Sequence, residues 1–491
     1  MNADISPRTS RGPHHIGAQV AGVSRVKRVP TDIVERALLW VFIAGLAWCP
    51  VWFGSVTLLA WGINAVLFSG LVAIYELSLL IRGERHPVAM KQIKAPAALF
   101  AAVVLWILIQ NATWTPDWLH HPIWQMTADE LDRSVAGSIS VDRDLTSLAL
   151  LRLTTAASVF WIALQLCRNA SRANILLKSV AALSCAYAAY GLFAFVYMPG
   201  RVLWVASPFP RTGFITSTFI NPNSFATYAG MGLVVICGLI LRLYRHEFMS
   251  AGGSMRFRIA TFMQVTGQKG ALLFGAALVV FVALLLSQSR GGILSTGSGL
   301  FVLAALSLNT RKRGTIGLRG AIILLGGLLV AGAFFAFGDL VAGRIMQGLN
   351  EDNRIALYTI AMRSIFESPL LGYGYGTFAD VFPMFRDQSM STFDTWVLAH
   401  NTYLEVFQGL GLLFGSMLVA SIALLAQRCV KGAMNRQENE IACIAAGIAF
   451  LVGAHSLIDF SLQIQAVGVT FMALLGVGVA QSQSSRLMLA D

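Results

Sequence analysis

Apolar runs of about twenty residues recur along nearly the whole chain, and no other feature constrains its fold as much. A run of that length crosses the ~30 Å hydrocarbon core of a bilayer as an α-helix, because a helix satisfies its own backbone N–H and C=O groups where no water can. The runs fall at 35–53, 56–81, 95–112, 147–167, 175–198, 223–242, 270–288, 291–308, 320–338, 402–426, 440–458 and 465–481. They predict an all-α polytopic membrane protein with about 12 transmembrane helices. Charged residues are only 12% of the chain against 56% hydrophobic, which excludes an ordinary soluble globular domain. The six cysteines form no CxxC pair, so neither a disulfide framework nor a zinc site is expected.

The lysines orient the spans. Lys27, Lys91, Lys94, Lys178, Lys269, Lys312 and Lys431 all fall on one side when the runs alternate, and the positive-inside rule makes that side cytoplasmic. Both termini are then inside. Residues 1–31 read as a disordered cytoplasmic tail with no cleavable signal, 32–481 as a single transmembrane domain, and 482–491 as a second cytoplasmic tail. Basic cytoplasmic loops account for the net charge of +12, so no nucleic-acid partner is called for.

Two large loops face the other side. Residues 113–146 carry six acidic residues against Arg133 and Arg143. Residues 339–399, between spans 9 and 10, carry seven against Arg344, Arg354, Arg363 and Arg386. Within the second loop, apolar residues at 355, 358, 362, 365 and 366 have helical spacing, ended by Pro369. Gly372-Tyr-Gly-Tyr-Gly-Thr377 reads as a tight turn, since no strand or helix context supports a phosphate loop.

Several polar groups gather on that same face. His400 and Asn401 stand where a polar segment meets the run beginning at 402, so a neutral imidazole there is placed to take a proton from a hydroxyl. Backbone N–H groups at a helix start disfavour a second positive charge and help keep it neutral. Arg290 sits at the hinge Ser287-Gln-Ser-Arg-Gly-Gly292 between two apolar runs, and Arg211 heads the polar approach to the sixth span. Asn221 and Asn223, flanking Pro222, suit a helix cap or a sugar hydrogen bond. Arg354 opens the loop helix, and His455 and Asp459 lie four apart on one helix face. Each alone is more often structural: an arginine that meets lipid headgroups, a histidine that packs, a carboxylate that ends a helix. Together they suit a lipid-linked diphosphate, with arginines for the leaving group and a base for the acceptor hydroxyl. No set has metal-ligand spacing, and Asp142-Arg-Asp144 lies on the wrong side for nucleotide sugars.

Four blocks then resemble the O-antigen ligase and polymerase family of bacterial inner membranes: Phe219-Ile-Asn-Pro-Asn-Ser-Phe-Ala226, Ser287–Gly292, Pro369-Leu-Leu-Gly-Tyr-Gly-Tyr-Gly-Thr-Phe378 and Ala399-His-Asn-Thr-Tyr-Leu-Glu405. A fifth, His455-Ser-Leu-Ile-Asp-Phe-Ser-Leu-Gln463, is similar to a pattern of one branch. The resemblance spans about 145–480, with its ligase-like core at about 200–430. It implies a GT-C-like, inverting, metal-independent glycosyltransferase of the inner membrane that needs no cofactor and works on the periplasmic side. The implied donor is an oligosaccharide on undecaprenyl diphosphate. The acceptor is another glycan or lipid A core, with membrane lipids and other polysaccharide-assembly proteins as further partners. By the family's pattern His400 is the base and Arg290 holds the diphosphate, with Arg211 and Arg354 as further contacts and Asn221, Asn223, Asn401 and Asp459 as other substrate-side groups.

One position departs from the ligase pattern: Gly411 fits, but Phe414 stands where a Gly, Thr or Tyr is expected. That departure, the long loop at 113–146 and the His455 block favour polymerisation of an exopolysaccharide or O-antigen over ligation to lipid A core. A polysaccharide or lipid transporter is the rival from another class. It is disfavoured because intramembrane charges are scarce, no internal repeat is evident and the polar groups cluster at one face.

Overall fold

The computed structural model describes residues 31–206, 213–250, 266–308, 351–388, 390, 396–435 and 439–482. Among them, eleven of the twelve apolar runs form helices, and the twelfth, 320–338, lies outside the described residues. So do the first thirty residues, Arg211 and the tail beyond 482. The helices are α1 (Thr31–Trp48), α2 (Leu58–Arg82), α3 (Lys94–Asn111), α4 (Ile123–Glu130), α5 (Arg143–Leu166), α6 (Ala170–Tyr197) and α7 (Pro222–Ser250). They continue as α8 (Ala271–Leu286), α9 (Arg290–Leu308), α10 (Glu351–Glu367), α11 (Phe378–Phe385), α12 (Thr402–Asn435), α13 (Glu440–His455) and α14 (Gln465–Ser482). Strand structure among the described residues is confined to the two-residue pair Arg201–Val202 and Val205–Ala206. Seven stretches are long and apolar enough to cross a membrane by length and composition. The architecture is that of a polytopic helical membrane protein.

Several helix starts are set by side chains that satisfy otherwise unpaired first-turn amides. Thr57 caps α2, Asp142 caps α5, Asn169 caps α6 and Asn439 caps α13. Asp142 is thus a helix cap, accepting from the amides of Asp144 and Leu145. Helices α7 and α12 run beyond their apolar stretches because the backbone ladder continues through the charged residues that follow.

The centre is built from α7, α13 and α14, which are apolar all round and largely buried. Helix α13 packs on α9, α7, α14 and α12, while α12 also packs on α3 and α14 on α5. The amphipathic helix read from the second loop is α10, and it packs against α12. Gly372, Gly374 and Gly376 all adopt positive φ, so the glycine stretch is the tight turn its sequence suggests.

That turn has a specific seat. Helix α12 is broken at Gly411, whose φ of 74° and ψ of 169° are non-helical. A break strips the carbonyls just before it of their helical donors, and in an apolar interior each must find another. The Gln408 carbonyl accepts from Tyr373 N–H at 3.1 Å, and the Gly409 carbonyl from Gly374 N–H at 3.1 Å and Gln110 Nε2 at 2.8 Å. The Leu410 carbonyl accepts from Trp106 Nε1 at 3.1 Å, and Leu412 N–H donates to the Pro369 carbonyl at 2.7 Å. The first large loop joins in where Val141 N–H donates to the Tyr373 carbonyl at 3.0 Å. The second large loop is therefore fastened to the helix that begins two residues after His400, and the first is fastened to the second. Phe414, the departure from the ligase pattern, stacks on Trp106 with ring centroids 4.6 Å apart and planes 7° from parallel.

Candidate functional site

Helix ends converge around His400. The residue itself has φ of 52°, a left-handed conformation uncommon for a side chain with a Cβ. Such strain persists only where surrounding contacts hold it. Tyr358 on α10 donates its hydroxyl to the His400 carbonyl at 2.9 Å. Asn401 accepts at Oδ1 from the amides of Tyr403 and Leu404, capping α12, and donates from Nδ2 to the Leu457 carbonyl at 2.8 Å. Thr402 N–H donates to the Ser456 carbonyl, and its hydroxyl donates to the Asp459 carbonyl. The imidazole stands edge-on between Trp396 and Phe460, with centroids at 5.5 and 4.7 Å.

Asp459 lies opposite. Its carboxylate is 1% exposed, and Oδ1 is 3.7 Å from His400 Nδ1, an ion-pair separation rather than a hydrogen bond. Nδ1 is buried and has no hydrogen-bond partner among the described residues, whereas the imidazole as a whole is 22% exposed. Nδ1 therefore faces the carboxylate. Asp459 Oδ1 also accepts from Asn223 Nδ2 at 3.0 Å, and Oδ2 accepts from the Ser461 hydroxyl. Burial alone would raise this carboxyl, but the imidazoles of His400 and His455 and the donors Ser461 and Asn223 outweigh it and hold it below the usual carboxylate range.

The remaining polar groups take distinct places. Asn221 Oδ1 accepts from Asn223 N–H at 2.7 Å, so it caps the start of α7. His455 Nδ1 hydrogen-bonds the Thr227 hydroxyl at 2.7 Å, joining the end of α13 to the start of α7. Arg354 bears electrostatically on Tyr358 and His455: burial raises the Tyr358 phenol, Arg354 lowers it and Asp459 raises it further. Arg290 begins α9 beside that junction. A Cβ on Gly291 would stand 2.5 Å from Ile458 Cδ1 and 3.2 Å from His455 Nε2, so those side chains would have to move to admit one. The amino end of α9 is thereby pressed against the segment leading to Asp459. Arg211 lies outside the described residues.

Direct contacts thus join His400, Asp459 and Asn223, while Arg354 and Arg290 adjoin them. Asn401 and Asn221 hold backbone. Sequence reading missed Tyr358, Ser461 and Thr227, whose hydroxyls carry no recognisable spacing. It also missed a cavity of about 930 Å³ beside the site. Leu398, Thr402, Tyr403 and Ser456 line it near His400, and apolar side chains such as Val406, Phe450 and Phe471 continue it between α12, α13 and α14. Among the described residues no three His, Cys, Asp or Glu side chains come together as a metal site would require.

Residues 275–419 match the family model described as O-antigen ligase, a stretch that includes Arg290, Arg354 and His400 but neither Asn223 nor Asp459. No curated protein matches the chain.

Proposed function

Starting from a chain that carries an O-antigen ligase domain, we propose that it transfers a glycan from undecaprenyl diphosphate to an acceptor hydroxyl at the periplasmic face of a bacterial inner membrane. The observation that carries this reading is the buried Asp459 carboxylate facing His400 Nδ1 at 3.7 Å, beside an apolar cavity. His400 Nε2 takes the acceptor's proton as its oxygen attacks the anomeric carbon, and the bond from that carbon to the diphosphate breaks. Asp459 stabilises the imidazolium that forms. Arg290, with Arg354 and Arg211, offsets the charge that develops on the departing diphosphate, a task suited to bidentate guanidinium groups. A single displacement inverts the anomeric configuration, and the arginines supply the positive charge without a metal ion. The apolar cavity suits the prenyl part of such a donor. Asn223 serves Asp459, and Asn221 and Asn401 serve the helix starts that frame the site.

The wider arrangement in this reading is a GT-C-like domain of about twelve spans over 32–481, with short cytoplasmic tails on either side and loops 113–146 and 339–399 in the periplasm. Polymerisation of exopolysaccharide or O-antigen repeats is favoured over ligation, because Phe414 is committed to a stack with Trp106 and the 113–146 loop is fastened to the glycine turn that seats on the site's own helix.

The test is an assay of the purified protein in lipid with an undecaprenyl-diphosphate-linked oligosaccharide, run beside His400→Ala. Longer lipid-linked chains that disappear in the variant are expected. Transfer only when lipid A core is added makes the protein a ligase. Movement of the donor across vesicles with no new glycosidic bond overturns the transferase reading in favour of transport.

A further inference from the structure

Two charged side chains near the site take no part in the chemistry above. Glu405, in the first turn of α12, and Arg152, on α5, are half-buried, line the same cavity and interact electrostatically. Ionised groups are costly at membrane depth and persist where they have a task. The Glu405 carboxyl accepts from the Gln463 side-chain amide. Arg152 donates to the Gln463 carbonyl, and its guanidinium lies 4.5 Å from the centroid of the Trp61 ring.

What these contacts join matters more than the pair itself. Glu405 lies on the helix that begins two residues after His400, the residue held in a left-handed conformation. Gln463 closes the short turn that begins at Ser461, whose hydroxyl is bonded to the Asp459 carboxylate. Glu405 therefore ties the helix that follows the imidazole to the segment that carries its partner. Arg152 holds that segment from α5. We infer that Glu405, braced by Arg152, is a positioning residue that sets the spacing between His400 and Asp459. The inference rests on the assignment of those two residues as base and partner.

Glu405→Met alone strands Arg152 without its counter-charge, so the deciding variant is Glu405→Met with Arg152→Met. Replacing two interacting charged side chains together with apolar groups of similar size is often well tolerated by a fold. The expected double variant is monodisperse with a parental thermal midpoint. Its kcat falls roughly 10- to 100-fold, as for a base displaced by about 1 Å, while the donor KM stays within about threefold. Glu405→Gln, which keeps an acceptor for the Gln463 side-chain amide, recovers most of the loss. Parental kcat in the folded double variant, or a loss confined to KM, overturns the inference. Should the double variant not fold, Glu405→Asp decides. It keeps a charge opposite Arg152 but is one methylene short of the amide, so parental kcat there overturns the inference as well. His400→Ala in the same assay separates the two levels. If it is active, the underlying assignment fails; if it is inactive while the double variant is normal, only the positioning role fails.

Discussion

Asp459→Asn is the sharpest single perturbation of the proposed chemistry. The replacement is nearly isosteric, and an amide oxygen still accepts from Asn223 Nδ2, so the fold should persist. What disappears is the charge 3.7 Å from His400 Nδ1. A carboxylate and an imidazolium at about 4 Å attract by about 4 kcal/mol at an effective dielectric of ~20, and by about 1 kcal/mol in bulk water. The Asp459 side chain is 1% exposed and the imidazole 22%, which places the pair nearer the first limit. The attraction is fully present only once the imidazole is protonated, so its loss falls on the transition state. The expected result is a kcat lowered by between about 5-fold and about 1,000-fold, towards the upper end, with little change in donor KM. Initial rates with the lipid-linked oligosaccharide in nanodiscs, each normalised to folded protein, measure it. A variant within twofold of the parent, beside an inactive His400→Ala, would refute Asp459 as the partner of the base.

The same substitution carries a pH signature. The Asp459 carboxyl is held below the usual range in the folded protein, so its contribution to stability is complete above the unfolded carboxylate pKa of about 3.9 and is lost as pH falls through the lower, folded value. The gap in thermal midpoint between parent and Asp459→Asn should be full at neutral pH and close on acidification below about pH 4. Gly411→Ala should destabilise the protein by about 2 kcal/mol or more, seen as a lower thermal midpoint in detergent, because the new Cβ would lie 2.4 Å from the Leu370 carbonyl oxygen at a φ of 74°. Asn401→Ala removes the cap on the Tyr403 and Leu404 amides and should cost about 1 kcal/mol of stability, with kcat falling because His400 adjoins that cap. Arg290→Lys should bind donor but turn over more slowly than the parent, since a point charge cannot make a bidentate contact with the leaving diphosphate; equal kcat would remove Arg290 from that role.

The sequence by itself determined the class of this protein and the positions of its helices. The cause is local: a run of twenty apolar residues has one stable backbone conformation in hydrocarbon, whatever its neighbours are. The amphipathic helix at Glu351–Glu367 and the glycine turn at 372–377 were legible for the same reason, since spacing and φ preference are properties of the segment. The candidate residues were legible as types at one face, but their partnerships were not. Asp459 meets His400 across 59 positions of sequence and Asn223 across 236, and no periodicity records such a meeting. Asn401 and Asn221 had the chemistry of sugar ligands until the structure committed their oxygens to backbone amides. The break at Gly411 read as one glycine in an apolar run. Only packing decided that its orphaned carbonyls would be met by Tyr373, Gly374, Gln110 and Trp106. A helix is dictated by the medium around each segment, whereas a site is dictated by which helix ends share one place, and that is settled by the whole bundle at once.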